Sequence, residues 1–173
     1  MFSRLSYFDK NLFIRRVIFA CLIVLFFLIQ SSAWNDGIFG IRIFWLIPLS
    51  VSIAMFERET SGMLFALLAG ALWDASSVYY GFNAVFLTVI GFVCGTLISN
   101  LMRNNLSTAL LMTFVSSFLY SFIYWLISYV FAGTGGTARA LFSVYLPSSL
   151  LTVLVVPVTY FIVLAIVKKF RAK

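Results

Sequence analysis

Six apolar stretches, at roughly 17–33, 41–56, 62–80, 82–100, 107–131 and 144–167, take up most of this 173-residue chain. Each comes near the roughly 20 residues with which a helix crosses a bilayer, and a helix keeps all of its backbone N–H and C=O groups paired where no water is available. The chain reads as a single all-α integral membrane domain over 1–173 with six transmembrane helices, and no stretch remains for a soluble catalytic domain. Composition agrees: 63% of residues are hydrophobic and 10% charged, a balance that no water-soluble core of this size requires.

The breaks between the stretches carry the charge. With both termini cytoplasmic, one side holds Arg4, Lys10, Arg15, Arg16, Arg58, Arg103, Lys168, Lys169, Arg171 and Lys173, and the other only Arg42 and Arg139. Basic residues collect on the cytoplasmic side of membrane helices, and an even number of spans also returns both termini to one side, so two independent arguments give the same topology. The net charge of +7 then speaks for anionic lipid headgroups as partners and not for nucleic acid. The basic leader followed by "SSA" at 31–33 has the look of a cleavable secretory signal, but its apolar block is longer than such signals use, and an uncleaved first span is expected.

Several chemistries are disfavoured by what the chain lacks. It has no histidine, the usual base near neutral pH and the commonest metal ligand. Cys21 and Cys94 both fall in apolar stretches without C-x-x-C spacing, which predicts two small buried residues. No catalytic residue, metal site or cofactor is expected, and the chain reads as a non-enzyme. Pro147 falls in the first turn of the last span, while Pro48 and Pro157 fall in span interiors and should free the carbonyls of Phe44 and Val153. The stretch "AGTGGTARA" at 132–140 reads as the one long outer loop, and Trp34, Trp45, Tyr79, Tyr80, Tyr129 and Tyr145 as rings near the outer interface.

One residue stands apart. Asp74 closes the stretch "ALLAGALWD" inside apolar surroundings. Residues four apart share a helix face, so Gly62, Ala66, Gly70 and Asp74 form one stripe of three small side chains and an acid. Small residues at this spacing let membrane helices approach closely, and the next span offers a matching groove of Ala84, Thr88, Gly91, Gly95 and Ser99. The two grooves should face each other or a third helix. A charge at membrane depth costs roughly 2.5–3.5 kcal/mol unless a partner, a cavity or protonation relieves it. The hydroxyls of Ser76, Ser77, Tyr79, Tyr120 and Tyr124 are candidate partners. Asp74 is then a hydrogen-bonded or protonated residue that sets helix register, a contact for a partner protein, or a ligand or proton site. Between the third and fourth spans, Gly81 suits a tight turn because glycine tolerates positive φ. At the other end, Glu57, Arg58 and Glu59 form the tightest charge cluster; Thr60 or Ser61 is a candidate helix cap, and Arg58 is free to meet a lipid phosphate or a partner.

The order of these features resembles the MreD family, small membrane subunits of the bacterial rod-shape machinery. In that family the third span reads G-F-x-x-G-x-x-x-D and the next contains G-Y-x-x-G. Here Gly70 and Asp74 match the first motif while Ala66 and Leu67 replace its glycine and aromatic, "GFVCG" at Gly91–Gly95 is similar to the second, and Arg58 and Gly81 fit the hinge arginine and the glycine turn. The resemblance implies a non-enzymatic scaffold in the bacterial cytoplasmic membrane. It would pair with the bitopic protein MreC and through it couple MreB filaments to the peptidoglycan polymerase and transpeptidase of cell elongation. It also implies a fold similar to that of the substrate-capture subunits of energy-coupling-factor vitamin transporters, which are the alternative reading. Those subunits usually carry an A-x-x-x-A pair in their first span, where this chain has Ala20 and Val24.

Overall fold

The computed structural model describes residues 2–32, 42–57, 59–77, 81–131 and 141–170, with side chains outside 2–10 and 129–131. These residues are helical throughout, apart from short connections. The helices are α1 (Phe2–Gln30), α2 (Leu46–Phe56), α3 (Glu59–Asp74), α4 (Phe82–Asn100), α5 (Leu106–Trp125) and α6 (Leu146–Lys169). Wider π-helical turns, Leu126–Phe131 and Leu141–Tyr145, continue α5 and lead into α6. Arg58, the stretch at 132–140 with Arg139, and Trp34, Tyr79 and Tyr80 lie outside the described residues.

The distribution of side chains differs from that in a water-soluble bundle, with hydroxyls enclosed among the apolar core and many large apolar side chains on the outside. Ser52, Ser117, Thr113, Thr152 and Thr159 are fully enclosed, whereas Phe13, Leu28, Val85 and Leu154 are more than 60% exposed. Lipid offers apolar side chains as good a home as the interior does, so helices associate through small and hydroxyl-bearing residues and turn their large apolar ones outward. Among the described residues, four segments are long and apolar enough to cross a membrane: Asn11–Gln30, Phe82–Asn100, Leu106–Ser128 and Leu141–Lys169. This is a helical membrane protein.

The two remaining helices depart from the boundaries expected from sequence. The stretch at 41–56 is helical only over the 11 residues Leu46–Phe56, about 16 Å at 1.5 Å per residue, and residues 42–44 before it are extended. The stretch at 62–80 starts earlier, at Glu59, and its helix ends at Asp74. Thr60 and Ser61 consequently sit inside the first turn of α3 and do not cap it.

Around α2 the other five helices are arranged, and every residue from Leu46 to Met55 is buried. A helix apolar on all sides has to be enclosed, and its short length leaves its ends inside the protein, where side chains must satisfy the backbone. Leu46 N–H donates to Gln30 Oε1 (3.0 Å) at one end and Asn104 Nδ2 to the Met55 carbonyl (2.8 Å) at the other, and in the segment before the helix Arg42 N–H donates to Ser148 Oγ (3.1 Å) and Phe44 N–H to Thr152 Oγ1 (3.1 Å). The late start of α2 also moves Pro48 into its first turn, where a missing N–H is harmless, so the Phe44 carbonyl precedes the helix and the expected interior break is absent. Pro157 does lie inside α6. Cys94 is buried as expected, but Cys21 is exposed on α1.

Candidate functional site

The α3–α4 hairpin carries nearly all of the residues singled out from sequence. Its two small-residue grooves face each other. A Cβ added at Gly70 would lie 2.5 Å from both Ala84 Cα and the Asn83 carbonyl oxygen, one at Gly91 would lie 2.5 Å from Ala66 Cβ, and one at Gly95 would lie 3.0 Å from Glu59 Cα. Gly62 meets α2 as well, with Ala54 Cα 2.8 Å from the position a Cβ would take. The stripe Gly62, Ala66, Gly70 is thus closed by this chain's own helices, and no partner helix reaches it while the hairpin holds.

Asp74 ends that stripe, 7% exposed, and its partners are not the expected hydroxyls. Oδ1 accepts the Asn83 N–H at 3.0 Å and Oδ2 accepts the Ala84 N–H at 2.9 Å. These N–H groups belong to the first turn of α4, whose N-terminal residue before the helix, Gly81, has φ +85° and no side chain with which to cap. Asp74 supplies the missing cap from the preceding helix, where the exposed helix N–H groups and the positive end of the α4 dipole favour a carboxylate. The register of α3 against α4 is fixed at this point.

Asn83, which the sequence reading missed, links this cap to the rest of the bundle. Its Nδ2 donates to Ser77 Oγ (2.7 Å) and its Oδ1 accepts from the Tyr120 hydroxyl (2.8 Å). Ser76 and Ser77 hydroxyls turn back to the Trp73 carbonyl. Tyr120, on α5, is 3% exposed and held in a ring cluster, stacked on Trp73 at 5.0 Å and edge-on to Phe44 (4.9 Å) and Phe86 (5.3 Å). The sequence signal for Asn83 was an amide two residues after a glycine turn, and Tyr120, expected as a partner of Asp74, donates to Asn83 instead. Tyr120→Phe keeps the rings but leaves the buried Asn83 oxygen without its donor, and we expect it to lower unfolding stability by about 1–2 kcal/mol, read from thermal unfolding of the purified protein in detergent.

At the basic end the expected charge cluster is divided. Glu57, past the end of α2, pairs with Arg15 of α1, Oε1 to Nη2 at 2.9 Å. Glu59 instead accepts the Ser99 hydroxyl of α4. Burial raises the Glu57 pKa above its ordinary 4.5, an effect larger than the opposing fields of Arg15 and Arg16. A folded-state pKa above the unfolded one means that this residue favours the fold most below pH 4.5 and that the contribution is lost as pH rises through the folded value. Glu57→Gln should therefore flatten this part of the stability profile above pH 4.5, as measured by melting temperature against pH.

Among the described residues, no three His, Cys, Asp or Glu side chains come together as a metal site would need. Both oxygens of the Asp74 carboxylate are engaged with backbone, and the arrangement holds α3 and α4 in place. No protein-family model, curated protein or solved structure matches this chain.

Proposed function

We propose that this protein is a non-enzymatic scaffold subunit of the bacterial rod-shape machinery. On this reading it is a six-span protein of the cytoplasmic membrane with both termini inside, pairing with MreC and through it joining MreB filaments to the peptidoglycan synthases of elongation. One observation supports the reading: of the residues on which the resemblance to the MreD family rests, Gly70, Asp74, Gly81, Gly91 and Gly95 serve one structural unit, the capped and close-packed α3–α4 hairpin, while Arg58 lies outside the described residues. A motif devoted to the rigidity of a hairpin suits a scaffold. With the small-residue stripe closed, the partner contact falls on the hairpin's outward face, where Leu64, Leu67 and Leu68 of α3 and Val85 and Val89 of α4 are exposed.

The test is depletion in the host together with photocrosslinking from Leu68 and Val89. The expected result is rounded cells and a crosslinked adduct with the bitopic partner. Rods of normal width together with loss of vitamin uptake would instead establish the transporter alternative.

A further inference from the structure

The contact between α5 and α6 is lined with hydroxyls. On α5, Thr113, Ser117 and Ser121 repeat every four residues, lie on one stripe and are each 1% exposed or less. Ser117 shows which way the stripe faces, because its Oγ reaches the Ser149 carbonyl of α6 at 3.5 Å while also donating to the Phe114 carbonyl of its own helix at 3.1 Å. Thr113 and Ser121 make no hydrogen bond among the described residues, and the Oγ of Ser128, in the π-helical continuation of α5, is shielded and unpaired in the same way.

Ser50 of α2 is the same, but it stands alone on its helix, and several other enclosed hydroxyls behave differently. Ser52, Thr152 and Thr159 each donate to a carbonyl of their own helix, the usual resort of such residues in membrane helices. A hydroxyl left without a partner away from water costs about 1–3 kcal/mol, and here three of them fall along one helix. A water molecule bonded to such a hydroxyl stands about 2.8 Å from it and keeps further bonds for the carbonyls across the contact.

We propose that the α5–α6 contact is a water-binding seam, in which individual water molecules held at Ser128, Ser121 and Thr113 supply the partners that these hydroxyls lack. Buried waters take two to four such bonds, and this stripe together with the carbonyls of α6 provides them. The competing arrangement is that Thr113 and Ser121 rotate onto carbonyls of α5 and the seam stays dry.

Water-edited solid-state NMR on the full chain in lipid bilayers distinguishes the two. Magnetisation from water should reach Thr113 and Ser121 several times faster than it reaches Thr159, a threonine equally enclosed but paired with the Val156 carbonyl and with Ser52. Build-up at Thr113 and Ser121 as slow as at Thr159 would overturn the proposal. In Thr113→Val with Ser121→Ala, transfer to Ser117 should fall to the Thr159 level; should that variant fail to fold, the comparison within the unaltered protein decides.

Discussion

Asp74→Ala is expected to destabilise the protein by about 2–4 kcal/mol, because two N–H groups at the buried start of α4 lose their acceptor together and neither solvent nor Gly81 replaces it. Asp74→Asn keeps one acceptor oxygen and discards the charge that the helix dipole favours, so its cost should be about half as large. The check is unfolding of the purified variants in detergent, with Trp73, stacked beside the site, as the fluorescent reporter. Equal stability of the alanine variant and the parent protein would show that the contact is not what fixes the turn. Because Asn83 hangs from the same backbone, the alanine variant should also weaken the Tyr120 contact, and Asp74→Ala with Tyr120→Phe should cost less than the two changes added.

The second large effect is steric. At Gly70 both neighbours of an added Cβ are backbone atoms of α4, which cannot rotate aside, so Gly70→Leu must push the helices apart and should cost about 3 kcal/mol or more, at or beyond the upper end of ordinary overpacking. Gly91 offers a cleaner measurement. Its obstacle is the methyl group of Ala66, and a change to alanine should cost about 1–3 kcal/mol, of which Ala66→Gly in the same chain should return a part. A failure of Ala66→Gly to relieve Gly91→Ala would mean that the two helices are not seated as described. Gly70→Leu should also abolish most of the Asp74 effect, since the cap operates only while α3 and α4 are in contact.

How much of this was legible in the chain depends on the physical range of each signal. Helix content, the close pairing of the third and fourth apolar stretches and the positive φ at Gly81 follow from hydropathy, small-residue spacing and glycine's freedom, all local properties. The extent of α2 does not. A run of apolar residues over 41–56 says that a segment is buried, but whether by lipid or by five neighbouring helices is a tertiary matter, and the extended start of that segment is held by Ser148 and Thr152, about a hundred residues further along the chain. Asp74 shows the same division. Its need for a partner was evident from its surroundings, yet the partner is a pair of backbone N–H groups, which every residue type except proline carries and no sequence can advertise. The notice given to hydroxyls passed over Asn83, whose amide both donates and accepts and so joins three elements at once.

The brevity of α2 bears on how the chain is made. An 11-residue helix covers about half of the roughly 30 Å hydrocarbon thickness; Gln30 and Asn104 meet backbone groups at its ends, and Ser148 and Thr152 meet those of the segment before it, and three of these four residues are synthesised long after it. Lipid alone does not satisfy such backbone groups, so the seat of α2 depends on helices that follow it in the chain. Its enclosure is complete only once α6 has been made.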